Sequence, residues 1–174
     1  MFSPLMYHKE IIMSDIKANK PTNKSGYRQG YYKLSYPDKY VGDPTKIIYR
    51  SSWEYRFCRY CDTNDKVEKW SSEPLGIKYV SPLDGKEHTY YIDFYMRVIE
   101  DKQPVDYLVE VKPSASLIKP VLEGKKMTTN KIKNYNYALQ TWLVNRSKFA
   151  AAKHFSEGRG YKFIVVTEEF LFNK

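Results

Sequence analysis

Two strand-like runs joined by a short polar connection constrain this chain more than anything else in it. Tyr90-Tyr91-Ile92-Asp93-Phe94-Tyr95-Met96 is rich in aromatic residues; Leu108-Val109-Glu110-Val111-Lys112 follows after Glu100-Asp101-Lys102-Gln103 and Pro104. Aromatic and β-branched residues favour strands, and the polar stretch with its proline marks a turn. The pattern predicts strands over 88–98 and 105–112 paired as a hairpin. If that hairpin is symmetric about its loop, Asp93 faces Glu110, where like charges are destabilising unless a cation lies between them. Side chains alternate along a strand, so Glu110 and Lys112 share one face of the sheet.

Two carboxylates and an ammonium on a rigid scaffold suit metal-assisted hydrolysis of a phosphodiester. Strands disfavour Asp, so Asp93 needs compensation; the plainer reading is an exposed aspartate near Arg97. Glu110 and Lys112 have a plainer reading as well, a same-face ion pair worth little if exposed. In the functional reading, Asp93 and Glu110 are oxygen ligands for Mg²⁺ and the Val111 carbonyl adds a third. Lys112 then orients or helps deprotonate the attacking water and offsets charge in the transition state.

The rest of the chain frames this site. The 174 residues are enough for one domain with a real core, and the net charge of +9 points to a polyanionic partner, most economically nucleic acid. No apolar stretch approaches the roughly 20 residues that span a bilayer, and His8, Lys9 and Glu10 break up the apolar pieces of the N-terminus, so neither a membrane nor export is expected. The 17 tyrosines, many beside Lys or Arg, fit either half-wet strand surfaces or contacts with sugar, base and phosphate. Residues 1–50 hold nine Lys/Arg against four Asp/Glu, and residues 1–37 read as a basic arm, flexible or docked on another protein.

Regular structure is expected from Ser51, where Ser51 and Glu54 have the form of a capping box and Trp53, Phe57, Tyr60 and Cys61 follow at helical spacing over 52–62. Glu54 is explained by the cap alone, yet it borders the apolar stripe and could reach a metal from the helix. Further strands are expected at 66–71, 76–80 and 161–166. One helix is expected through Ile132 to Trp142, and a second from Ser147 to a glycine stop at Gly158 or Gly160. The order makes a mixed α/β sandwich. Cys58 and Cys61 form a C-x-x-C, but His8, His88 and His154 are too scattered to complete a zinc site, so packing is the better reading.

This arrangement resembles the PD-(D/E)XK nuclease superfamily and, within it, the head completion nucleases of T4-like tailed phages, near the TnsA-like endonucleases. The likeness rests on Tyr40-Val41-Gly42-Asp43-Pro44-Thr45-Lys46-Ile47-Ile48-Tyr49-Arg50-Ser51-Ser52-Trp53-Glu54, on Tyr91-Ile92-Asp93-Phe94-Tyr95-Met96, and on Val109-Glu110-Val111-Lys112-Pro113. Thr141-Trp142, Val144-Asn145, the Lys148 to Gly160 segment and the Phe163 to Glu168 end extend it over roughly residues 38–170. The position before Asp93 is Ile92 rather than proline; Pro37-Asp38 and Pro104-Val105-Asp106 are decoys.

The resemblance implies a restriction-endonuclease-like α/β fold over residues 38–174 and a catalytic set of Glu54, Asp93, Glu110 and Lys112. Asp93, Glu110, Val111 and Glu54 would be the metal-binding positions, with Mg²⁺ as cofactor or Mn²⁺ in its stead, and double-stranded DNA as substrate. It further implies action on the phage head before the tail joins, with trimming of packaged DNA as one route. The setting would be the host cytoplasm during assembly and then the virion head or neck, where the N-terminal arm would meet head and neck proteins. Two rival readings stand beside it: a structural head or neck protein in which the nuclease fold is secondary, and a DNA-binding module without catalysis.

Overall fold

The computed structural model describes residues 29–124 and 127–172, so the expected arm lies outside the described residues as far as residue 28. A mixed four-stranded sheet forms the centre, in the order β3 (Val67–Ser72), β6 (Phe94–Glu100), β7 (Gln103–Val111) and β8 (Lys162–Val166). The first three strands are antiparallel, and β8 runs parallel to β7. This is the mixed α/β architecture expected from the sequence. Helix α1 (Ser52–Thr63) covers one face, placing Phe57, Cys58 and Cys61 against Trp70, Phe94 and Val109. Helix α2 (Thr129–Glu157) covers the other through Ala152, which packs with Tyr90, Ile92, Tyr95 and Leu108. Fully buried side chains of this size contribute about 1.5–3 kcal/mol each, so these two layers hold the sheet in place.

The central hairpin has the expected symmetry. Pairing runs without slippage from Phe94–Val109 to Glu100–Gln103 around the two-residue turn Asp101–Lys102. Both turn residues have positive φ, 47° and 66°, which gives the twist a tight hairpin needs.

Three expectations are corrected. The strand expected at 88–98 is two strands, β5 (Glu87–Tyr91) and β6, separated at Ile92–Asp93; β5 pairs with β4 (Gly76–Val80) in a separate ribbon. The two expected helices are one, α2, whose 29 residues contain neither glycine nor proline; Ser147 lies inside it rather than starting a second helix. Regular structure also begins before Ser51. β1 (Gly30–Tyr31) pairs with β2 (Ile48–Tyr49), and Tyr32 is buried with its hydroxyl donating to Asp62. A short helix, α3 (Glu168–Phe172), closes the fold against α1.

The break at Ile92–Asp93 has a local cause. Ser72 pairs with Phe94, and Gly76 pairs with Tyr91, so three residues, Glu73-Pro74-Leu75, oppose two, Ile92-Asp93. This is a β-bulge, and Glu73 takes the left-handed conformation it requires (φ 44°). The Glu73 N–H donates to the Asp93 carbonyl at 2.8 Å, and the Ile92 N–H donates to the Leu75 carbonyl at 3.3 Å. The ribbon therefore bends at Asp93 and aims this side chain across the end of β7.

Candidate active site

Asp93 lies one residue before the paired part of β6, and its Oδ2 accepts a hydrogen bond from the Val111 N–H at 2.8 Å. Continuing the hairpin register one step would have set it squarely opposite Glu110; the bulge instead swings it over the last residue of β7. Glu110 sits within the central strand, only 2% exposed. Its Oε2 accepts from the Tyr90 hydroxyl at 2.5 Å, and its Oε1 is 2.9 Å from Lys112 Nζ. That ion pair is the contact expected of two residues on one face of a strand. Asp93, Glu110, Val111 and Lys112 thus meet at the end of the sheet where β6 begins and β7 stops.

Glu54 reaches the same neighbourhood from the start of α1. The Ser51 side chain accepts from the Glu54 N–H at 3.1 Å and donates to Glu54 Oε1 at 3.0 Å, while Glu54 Oε2 accepts from the Arg50 N–H at 2.7 Å. The cap foreseen in the sequence is therefore formed, with the returning carboxylate reaching Arg50 rather than the backbone of Ser51. Arg50 also grips Glu73 with two nitrogens, at 2.5 and 3.0 Å. One arginine thus ties the bulge that aims Asp93 to the helix start that carries Glu54.

The electrostatics are strained in one direction. Burial, then the charge of Glu110, pushes the Asp93 carboxyl well above the ordinary carboxylate range, with Lys112 pulling against them. Burial also raises Glu54, opposed by the Arg50 N–H, the Ser51 hydroxyl and Lys112. Burial alone would lower Lys112, but Asp93 and Glu110 outweigh it and its shift is upward. Two neighbouring carboxylates share a single close ammonium, and a hard divalent cation would relieve that imbalance.

Asp93 and Glu110 supply oxygens of the right kind for such an ion. Among the described residues no three Asp, Glu, His or Cys side chains converge as a ready cage, so Glu54 contributes charge from a distance rather than a shared contact. Glu54→Gln separates its two roles. Glutamine retains an acceptor for Arg50 and a partner for Ser51, so stability should change by less than about 1 kcal/mol. If the charge serves the site, hydrolysis there falls while the melting temperature holds; an unchanged rate leaves Glu54 as a cap alone.

Other residues fall where their sequence context placed them or were not foreseen at all. Cys58 and Cys61 are free, buried thiols in the core beneath α1, their ionisation suppressed by that burial. Asp106 pairs with Arg97 on β6 and stands outside the site. Tyr90, Arg50 and Glu73 were missed because each acts through a contact that only the folded ribbon creates. Lys148 was missed too. It comes from α2, half-buried, with its ammonium 5.7 Å from the ring centre of Tyr79 and 5.5 Å from that of Tyr90. Among the described residues no helix is long and apolar enough to cross a membrane.

Residues 64–168 match the family model described as TnsA-like endonuclease N terminal. That stretch contains Asp93, Glu110, Val111 and Lys112; Glu54 precedes it. The head completion nuclease of Enterobacteria phage T4 is 37% identical to this chain over 133 residues, which span 76% of this chain and 86% of that protein.

Proposed function

The chain belongs to the TnsA-like endonuclease family, and on that premise we propose that it is a metal-dependent DNA nuclease acting in phage head completion before head and tail join. The observation that carries the reading is the meeting of Asp93, Glu110 and Lys112 at one end of the sheet, with the Lys112 ammonium 2.9 Å from Glu110 and the two carboxylates close enough for the charge of one to raise the other. Asp93, Glu110 and the Val111 carbonyl would hold Mg²⁺, or Mn²⁺ in its place, with Glu54 beside them. Bound there, the ion supplies Lewis acidity to a phosphate oxygen and makes a water molecule nucleophilic near neutral pH.

The protein's own groups do the remainder. Tyr90 fixes one oxygen of Glu110 and leaves the other to Lys112, so the glutamate has a single orientation. Lys112 offsets the negative charge that grows on the phosphate as water attacks. Glu54, anchored at both oxygens, sets the field around Asp93 and Lys112 and helps place the water. Basic residues elsewhere contact the backbone, which brings little sequence preference. In phage assembly the substrate would be packaged double-stranded DNA, and trimming it is one route by which the head would be finished before the tail joins. The protein would work in the host cytoplasm during assembly and at the virion head or neck, with the basic arm meeting head and neck proteins.

The test is incubation of purified full-length protein with supercoiled and linear duplex DNA. Strand breaks that require Mg²⁺ or Mn²⁺ and vanish with chelator are expected. Intact DNA in every lane, from folded protein that binds it, would overturn the nuclease reading in favour of a structural head or neck role.

A further inference from the structure

Helix α2 carries no acidic residue from Thr129 through Ser156, while Lys131, Lys133, Arg146, Lys148 and Lys153 lie along it. Only its second half packs closely on the sheet: Ala152 and Ser156 are its buried residues, and Ile132 and Tyr137 in the first half are exposed, Tyr137 by 73%. Asn130, Asn134, Tyr137, Thr141, Asn145 and Lys148 follow one another at spacings of three and four. At 3.6 residues per turn these positions stay within about a quarter of the helix circumference, forming one stripe. The first four are exposed, and the last two are half-buried as the stripe meets the site.

Lys148 is the inner end. Its charge is felt by Glu110, Asp93 and Lys112, and its ammonium lies near the ring of Tyr90, whose hydroxyl holds Glu110. Among the described residues it forms no ion pair. A half-buried ammonium with no ion-pair contact, only a longer-range attraction to the carboxylates of the candidate site, keeps hydrogen-bond donors for a ligand.

We propose that this stripe of α2 is the track on which duplex DNA lies, with Lys148 contacting a phosphate next to the one that is cleaved. The inference rests on the nuclease reading and adds the surface that carries the substrate to the site. The asparagine amides, the Tyr137 hydroxyl and the Lys148 ammonium are donors that phosphate and sugar oxygens accept from, while the Thr141 hydroxyl donates to the Tyr137 carbonyl at 2.9 Å; the stripe carries no carboxylate to repel the backbone. From Asn130 to Lys148 the stripe spans about 27 Å. B-DNA covers that distance in about eight base pairs. Lys133, exposed at the edge of the stripe, adds charge at its outer end.

The test compares matched pairs of full-length variants by binding a fluorescent 30-base-pair duplex across a salt series, in chelator so that the DNA stays whole. Lys148→Ala and Asn134→Glu alter the stripe; Lys153→Ala and Ala150→Glu make the same changes of charge on exposed positions off it. Each stripe variant should bind roughly tenfold more weakly, Lys148→Ala should lose about one unit of salt slope, and Lys148→Arg should recover most of the affinity. The controls should stay within about twofold, the difference expected of non-contacting charges screened by salt. If the wild type binds and the stripe variants match their controls, the track is wrong and the nuclease reading stands. If the wild type binds no duplex, the track is wrong as well, and the nuclease reading stands or falls by the cleavage assay with Mg²⁺ or Mn²⁺.

Discussion

Asp93→Asn is expected to lower DNA cleavage by roughly a thousandfold or more, as removal of a metal-binding or charge-stabilising group does in hydrolytic sites, without unfolding the protein. Asparagine has nearly the same shape, and its carbonyl oxygen can still accept from the Val111 N–H. The change removes one of two crowded negative charges, so stability should rise rather than fall. Burial and Glu110 raise the folded-state pKa of Asp93. A carboxyl raised in this way favours folding at acid pH, and that advantage is lost as pH climbs from the unfolded value through the folded one. At neutral pH in chelator the native enzyme therefore bears a cost that the variant escapes. Lys112→Ala should abolish cleavage too, but with the opposite effect on stability. It strips Glu110 of its ion pair with Lys112 and leaves a buried carboxylate held by Tyr90, at a cost of about 1–3 kcal/mol, since the lysine is partly exposed. Cleavage assays run beside thermal melts check both. Wild-type cleavage by Asp93→Asn would remove the site from this end of the sheet.

Spacing along the chain decides which parts of the site were legible in the sequence. Glu110 and Lys112 could be placed together because strand alternation fixes relative facing whatever the surrounding fold. The Ser51–Glu54 cap was legible for the same reason: its partners are three residues apart. The hairpin register followed from its short loop. Asp93 was found by its oddness, an acid in an aromatic strand, but its geometry was not, because the bulge depends on a third segment. Nothing in Glu73-Pro74-Leu75 says that it will oppose Ile92-Asp93 with a residue to spare.

The same limit hid Tyr90 and Lys148, which reach the site through packing of α2 and the β4–β5 ribbon. Ser147 misled for a different reason. Serine starts helices well, but inside a long helix it is tolerated, and no local rule separates the two cases without knowing what the neighbouring turns pack against. The family likeness points to the same four residues as strand alternation and the cap do; it did not supply these supports.

Asp62→Ala should be the most damaging substitution away from the site. Asp62 is fully buried, and its carboxylate accepts from the Tyr32 hydroxyl at 3.0 Å, the Ser35 N–H at 2.8 Å and the Tyr36 N–H at 3.0 Å. Lys39 meets its carbonyl at 3.1 Å. One side chain at the end of α1 thus fastens residues 32–39, which lead through β2 to Arg50 and Glu54. Removing it strands three donors, two of them backbone groups, and should cost about 3 kcal/mol. For a chain of this size that lowers the melting temperature by roughly 6–12 °C. Asp62→Asn should also destabilise, because both carboxylate oxygens accept and an amide must turn its NH₂ toward a backbone N–H on one side. Tyr32→Phe should cost only about 1 kcal/mol, since Asp62 keeps its two backbone partners. The ranking Asp62→Ala, Asp62→Asn, Tyr32→Phe is read from thermal melts. A melt of Asp62→Ala within 2 °C of wild type, below the roughly 6 °C minimum expected, would mean that the segment before residue 38 adds nothing to the fold's stability. With the expected loss, the segment is part of the platform that holds Glu54 and Arg50 in place, and loosening it should weaken cleavage even at temperatures where the variant remains folded.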